Sequence, residues 1–122
     1  MLDAGAFLAV ERGDRHVVAL IARERRSGRI PLTHGGVVGQ VWRGDARQVP
    51  LARLLAGVEV AALDAALGRR AGALLARAAR SDVVDAALVL LAGDGDEILT
   101  SDPGDLADLA SVSGTHVELV GV

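Results

Sequence analysis

The sequence predicts a single α/β domain in which helices cover both faces of a parallel β-sheet. Short β-like segments alternate with helical segments along the whole chain, a pattern typical of parallel sheets. A length of 122 residues with 51% hydrophobic content suits one hydrophobic core. No internal repeat, low-complexity segment or linker divides the chain, so we expect one domain over residues 1–122.

Five strands are predicted, separated by seven helices. The strands are expected at residues 1–3, 29–33, 58–62, 97–100 and 116–120. The first is short, since strands average about 5–6 residues. The helices are expected at residues 4–12, 15–27, 35–43, 46–56, 64–79, 81–92 and 103–112.

Capping residues and apolar periodicity fix these helices. Asp14 and Asp64 precede the helices at 15–27 and 64–79, and Gly28 and Gly57 follow those at 15–27 and 46–56, as helix starts and stops commonly do. Proline at position 103 is a normal first helical residue. Residues 86–92 are apolar on every side, so the helix that contains them should be buried.

The composition excludes several classes of function. Cysteine is absent, which removes disulfides, thiolate metal sites and cysteine nucleophiles. All 13 basic residues are arginine, and this lack of lysine argues against phospho-accepting receiver domains and aspartate-based phosphatases, which normally hold the phosphoryl group with a lysine. Phe7 and Trp42 are the two aromatic residues, too few for a base-stacking platform, and we expect Trp42 in the core or at a dimer interface.

The charge is unevenly distributed between the two halves of the chain. The net charge is −3, with +3 in residues 1–60 and −6 in residues 61–122. This distribution allows an arginine-rich surface beside an acidic pocket. We find no signal peptide and no apolar run long enough to span a bilayer, so a cytoplasmic protein is expected.

Three aspartates are predicted to meet at one end of the sheet. Asp3 and Asp102 each follow a strand, and Asp85 lies in the first turn of the buried helix. Ligands of open parallel sheets bind beyond the carboxyl ends of the strands. Carboxylate oxygens suit Mg²⁺, and a cation relieves the repulsion between neighbouring carboxylates. Each acid also has an ordinary alternative: a turn residue for Asp3, and a helix cap or first-turn acid for the others.

Four segments of the chain carry a resemblance to a known family. They are LDAGAFLAV, GGVVGQVWRG, SDVVDAALVLLA and ILTSDPGDL, in this order along the chain. Together they resemble the PIN-domain ribonucleases, most closely the VapC-type toxins of toxin–antitoxin pairs. The resemblance implies a five-stranded parallel sheet of order 3-2-1-4-5 and RNA cleavage dependent on Mg²⁺, with Mn²⁺ as a possible substitute. It also implies a homodimer that a cognate antitoxin holds inactive.

The resemblance assigns the site residue by residue. Asp3 matches the family's first acid, Asp85 the acid before the apolar helix, and Asp102 the acid after the fourth strand. The family's second acid falls on Gln40, which keeps an oxygen ligand but removes one negative charge. We therefore expect a one-metal site with reduced activity. The alternative is a catalytically weakened or inactive PIN-like module that binds RNA or a protein partner.

Supporting roles are expected for neighbouring polar residues. Asp82 is predicted to cap the buried helix or support the metal ligands, and Thr100 and Ser101 to orient Asp102 by hydrogen bonding. Asp105 is expected to be a solvated first-turn acid.

Basic residues near Gln40 are the candidate RNA contacts. Arg43 and Arg47 follow its helix and are predicted to bind RNA phosphates. His34 lies near the expected edge of the site, where we predict a helix cap or loop residue rather than a general base.

Overall fold

The structure, a computed structural model, describes all 122 residues and contains seven α-helices. They are α1 (Ala4–Glu11), α2 (Arg15–Arg26), α3 (Gly35–Val41), α4 (Val49–Ala56), α5 (Ala65–Ala78), α6 (Val83–Leu91) and α7 (Pro103–Ser113). A 3₁₀ turn at Ala46–Gln48 precedes α4, where the sequence predicted one continuous helix. No helix combines the length and the apolar character needed to cross a bilayer.

Four short strands form two separate parallel sheets. Strand β1 (Leu32–His34) pairs with β2 (Glu59–Ala61), and β3 (Glu97–Thr100) pairs with β4 (Glu118–Gly121). Strand β3 has the predicted bounds, whereas the other three differ from prediction by one to three residues at an end.

The predicted five-stranded sheet is wrong, and with it the PIN-like fold that the resemblance implies. The expected first strand is absent: Leu2 forms only an isolated parallel bridge with Leu99. Asp3 already serves as the cap of α1, so the extended pairing does not continue beyond Leu2. The order 3-2-1-4-5 therefore has no central strand to hold it together.

The first three residues nevertheless connect the two sheets through backbone hydrogen bonds. The Leu2 amide donates to the Leu32 carbonyl of β1 at 2.9 Å. On the other side, the Asp3 amide donates to the Leu99 carbonyl at 3.1 Å, and the Leu99 amide donates to the Met1 carbonyl at 3.0 Å. Asp3 therefore lies between the carboxyl ends of β1 and β3.

The hydrophobic core consists of two clusters on opposite faces of β3. Ile98 belongs to one cluster and Leu99 to the other, and successive strand residues point to opposite faces. The first cluster contains Phe7, Val17 and Leu51 from α1, α2 and α4. The second contains buried residues of α5, α6 and α7, so the apolar helix α6 packs inside the fold as the sequence predicted.

Candidate functional site

Asp3 is a buried carboxylate with both oxygens hydrogen-bonded. It is 5% exposed and caps α1, with Oδ1 accepting from the Ala4 amide at 2.8 Å. Its Oδ2 accepts from the Thr100 hydroxyl at 2.7 Å. Buried charges persist in proteins when hydrogen bonds or cations compensate them, and these two donors hold the carboxylate in one orientation.

Thr100 links Asp3 to the segment that carries Asp102. It is the last residue of β3, it is fully buried, and its hydroxyl also accepts from the Asp102 amide at 3.0 Å. The Thr100 hydroxyl therefore connects the Asp3 side chain to the backbone at Asp102.

Asp102 leaves its carboxylate free. It occupies the position before α7, where an acid commonly caps the helix, but its side chain makes no capping hydrogen bond. The residue is exposed. The capping alternative is therefore wrong for Asp102, and its oxygens remain available to a ligand.

Close packing at Gly5 brings α1 against the loop that carries Asp102. A Cβ atom at Gly5 would lie 2.7 Å from Ser101 Oγ and 2.8 Å from the Ser101 backbone nitrogen. Contacts this short require something to shift, so glycine is what permits the approach. Ser101 makes no side-chain hydrogen bond, so the structure gives it a packing contact rather than the predicted hydrogen bond to Asp102.

Asp82 and Asp85 lie at the start of α6 and have different environments. Asp82 caps the helix, with Oδ1 accepting from the amides of Val84 at 2.9 Å and Asp85 at 3.1 Å. Asp85 is half-buried and its carboxylate accepts no hydrogen bond from the protein. Capping therefore accounts for Asp82 and leaves the Asp85 carboxylate unexplained.

The pKa of Asp85 is raised to about 7, chiefly because burial disfavours its charged form. Repulsion from Asp82, Asp3, Asp105 and Asp102 raises the pKa further. These four carboxylates therefore all contribute negative potential at Asp85. Asp105, expected to be solvated, is exposed and also forms an ion pair with Arg80 at 3.1 Å.

The donor types at this site fit Mg²⁺. No group of three or more acidic or histidine side chains is arranged to hold a metal ion together. Mg²⁺, however, keeps several of its waters and binds through one or two protein carboxylates. Asp85, whose carboxylate has no protein donor, and the exposed Asp102 are the acids with free oxygens, whereas Asp3 already accepts one hydrogen bond on each oxygen.

Comparison with protein-family models, with curated proteins and with solved structures gives no match to this chain. The assignment of function therefore depends on the site itself.

Gln40 lies in a surface cleft of about 480 Å³, lined by Leu8, Glu11, Val41, Arg43, Asp45, Arg47 and Gln48. Gln40 is exposed, and its side chain makes no hydrogen bond to any of the three aspartates or to another protein group. The structure thus groups Gln40 with the candidate RNA-binding residues and records no link between it and the carboxylates.

The two arginines of this cleft differ in availability. The Arg43 guanidinium donates to the carbonyls of Gly39 at 3.3 Å, Gln40 at 3.2 Å and Trp42 at 2.7 Å, so it caps the end of α3. Arg47 makes no side-chain hydrogen bond or ion pair and is the freer phosphate contact. Trp42 is 43% exposed, so it is not a core residue.

Sequence reasoning missed the roles of two glycines, Gly5 and Gly36, and one long-range contact of His34. Gly5 and Gly36 matter through close approach, and His34 matters through a hydrogen bond to a segment 50 residues away. The prediction that His34 caps a helix is confirmed, because its Nδ1 accepts from the Gly36 amide at 3.0 Å. Only the Thr-His-Gly-Gly sequence, which spans the end of β1 and the start of α3, could have drawn attention to this position.

Proposed function

We propose that this protein is a Mg²⁺-dependent endoribonuclease whose site consists of Asp3, Asp85 and Asp102. The observation that carries the proposal is Asp85, a half-buried carboxylate without a hydrogen-bond donor and surrounded by other acids. Such an arrangement is unfavourable without a cation, and perturbed carboxylates of this kind concentrate at functional sites. The resemblance of four sequence segments to VapC-type toxins supports the same reaction.

Each aspartate has a distinct task in this proposal. A bound Mg²⁺ supplies a water of lowered pKa and offsets negative charge on the phosphodiester. Asp3, held by Ala4 and Thr100, provides a carboxylate that does not reorient. Asp85 would be a ligand to that cation, whose positive charge would offset the repulsion that raises the pKa of this carboxyl. Asp102 is exposed and would contact the metal-bound waters or the substrate.

The substrate contacts are expected beside Gln40. Arg47 offers a guanidinium without an internal partner, and arginine pairs with phosphate through two parallel hydrogen bonds. Arg43 can add a weaker contact because some of its donors are already occupied. With aromatic residues this scarce, binding depends on phosphate contacts rather than on base stacking. Affinity for RNA should therefore fall steeply with salt.

The partners and location in this proposal follow from the sequence resemblance. We place the protein in the cytoplasm, as a homodimeric toxin neutralised by a cognate antitoxin. Exposed apolar side chains could serve such interfaces: Leu8, Val18, Ile30, Trp42, Val49, Val60 and Val83. Sedimentation of the purified protein tests the dimer, and a monomer at all accessible concentrations would contradict it.

A second candidate is a non-catalytic module that binds RNA or a protein partner. It is favoured by the absence of a preformed three-ligand group and by the exposed Gln40 in place of an acid. Such a module would bind RNA equally well in Mg²⁺ and in EDTA and would leave it intact.

RNA cleavage by the purified protein tests the proposal. Structured and single-stranded RNA are incubated with Mg²⁺, Mn²⁺ or EDTA, and the wild type is compared with Asp3→Asn and Asp102→Asn. Asp14→Asn is the matched control, because Asp14 only caps α2 and asparagine caps equally well. We expect cleavage by the wild type and the control in Mg²⁺ alone. Equal cleavage in EDTA, or full activity of both site variants, would exclude the metal mechanism.

A further inference from the structure

His34 is a fully buried histidine whose hydrogen bonds determine which ring nitrogen carries the proton. It is the last residue of β1, and its Nδ1 accepts from the Gly36 amide at 3.0 Å. A backbone amide can only donate, so Nδ1 carries no proton. Nε2 then bears the hydrogen of the neutral ring and donates it to the Val84 carbonyl at 2.9 Å.

The second hydrogen bond reaches the residue directly before Asp85. Val84 lies in the first turn of α6, so the imidazole connects the end of β1 to the start of that helix. Capping of α3 alone does not call for histidine, because serine, threonine, aspartate and asparagine are the preferred caps. The hydrogen bond to Val84 is made by Nε2, an atom for which the shorter capping side chains have no counterpart.

The packing around the ring is tight on one side. A Cβ atom at Gly36 would lie 2.8 Å from Cε1 of His34 and 3.1 Å from its Nδ1. The glycine therefore leaves space for the imidazole. A buried ring with both nitrogens bonded and no free volume beside it has one orientation.

The end of β1 also holds the segment that carries Asp3. The Thr33 hydroxyl donates to the Leu2 carbonyl at 2.8 Å, and Thr33 is fully buried. Adjacent residues of one strand therefore contact the backbone immediately before Asp3 and immediately before Asp85. Thr100 makes the corresponding link between Asp3 and Asp102.

We infer that His34 is a positioning residue that sets Asp85 relative to Asp3 through its Nε2 hydrogen bond to the first turn of α6. The inference rests on the proposed function, since it assigns His34 to the same carboxylate site. It gives His34 no proton-transfer role: the ring is enclosed, and both of its nitrogens are engaged by backbone groups.

Two substitutions separate capping from positioning. His34→Asn places an amide oxygen near the position of Nδ1, so it keeps the cap but cannot reach Val84. His34→Gln places its NH₂ near the position of Nε2, so it keeps the donor to Val84 but is a poor cap. A merely structural histidine would make the two variants differ only in overall stability.

Amide hydrogen exchange of the metal-free protein measures how firmly the first turn of α6 is held. We expect His34→Asn to speed exchange of the α6 first-turn amides by about 5- to 10-fold, as loss of one hydrogen bond would, while His34→Gln keeps the wild-type rates. Amides of α7 serve as the internal reference. Equal α6 rates in the asparagine and glutamine variants would overturn the inference.

Binding of Mn²⁺ alone, followed by calorimetry, gives a second measurement. Loss of a residue that orients a ligand typically weakens metal affinity by about 10- to 100-fold, so we expect this loss in His34→Asn and its rescue in His34→Gln. If the wild type binds no Mn²⁺ and leaves RNA intact, the proposed function fails, and the exchange result alone decides the role of His34.

A third variant covers the case in which His34→Asn does not fold. Gly36→Ala keeps the imidazole and crowds it with one methyl group. We expect the displaced ring to speed exchange in the first turn of α6 here as well. The chemical shifts of His34 would show whether the ring has moved in Gly36→Ala. If the ring has moved and the first-turn amides of α6 still exchange at the wild-type rate, the inference is contradicted.

Discussion

Replacing Asp85 by asparagine should stabilise the metal-free protein while abolishing cleavage. The folded state raises the pKa of Asp85 from 3.8 to about 7, so ionising this group opposes folding. At about 1.4 kcal/mol per pKa unit, the full shift would correspond to about 4 kcal/mol. Asp85 is only half-buried, and solvent screening reduces this figure to about 1–2 kcal/mol. We expect Asp85→Asn to be more stable than the wild type by that amount at about pH 8.

The pH dependence gives the sign of the effect. Because the folded state has the higher pKa, it binds more protons than the unfolded state between pH 3.8 and about 7. The wild type therefore loses stability as the pH rises through this window, and Asp85→Asn lacks this loss. Urea unfolding in EDTA should show the two proteins nearly equal at about pH 4 and furthest apart at about pH 8.

Adding Mg²⁺ should make the wild type more stable than Asp85→Asn. A ligand that binds only the folded state stabilises it by about 2.7 kcal/mol at one hundred times its dissociation constant, which exceeds the advantage of about 1–2 kcal/mol expected for Asp85→Asn. The wild type should gain this stability and Asp85→Asn should not. If Asp85→Asn were no more stable than the wild type at about pH 8 in EDTA, the reasoning from electrostatic repulsion would be refuted. Asp14→Asn controls for the loss of one negative charge at a helix N-terminus.

Three further substitutions test the supporting contacts. Thr100→Val leaves a buried oxygen of Asp3 without its donor, which should cost about 1–3 kcal/mol in urea unfolding and lower the cleavage rate; unchanged values would contradict the link. Gly5→Ala should destabilise the protein by about 1–3 kcal/mol despite the higher helix propensity of alanine, because the methyl group meets Ser101, and a gain in stability would refute the close approach. Gln40→Glu should tighten Mg²⁺ binding and raise the single-turnover cleavage rate together if missing charge limits the site; calorimetry that shows neither change would mean that the glutamine is not a weakened ligand.

Local signals were sufficient for the helices and for one strand. Glu97–Thr100 has the predicted bounds because its apolar residues follow a glycine-rich turn and precede a proline. Asp82 caps α6 as its position before an apolar run indicates. These features depend on neighbours in sequence, which is the information that a single sequence carries.

The sheet could not be predicted in the same way, because pairing depends on residues far apart. Residues 1–3 were expected to form a central strand, but Asp3 already begins the α1 cap and Leu2 alone pairs with Leu99. The backbone hydrogen bonds between these residues and both sheets preserve the proximity of the strand ends without a continuous sheet. The hydrogen bond between Asp3 and Thr100 depends on this long-range pairing and was not predicted from the sequence.

The candidate site was predictable in its acids and not in the contacts that hold them. Asp3, Asp85 and Asp102 follow from strand ends and helix starts in the sequence. Gly5 and His34 act through long-range packing, and nothing in their local sequence reports a partner about 50 or more residues away. The exposed position of Gln40, away from any hydrogen bond, likewise depends on how α3 lies in the fold.

Calorimetric titration of the metal-free wild type with Mn²⁺ tests the central claim most directly. The account predicts one saturable site that disappears in Asp3→Asn and in Asp85→Asn and remains in Asp14→Asn. Absence of saturable binding to the wild type, or equal binding to all four proteins, would contradict a metal site at these carboxylates.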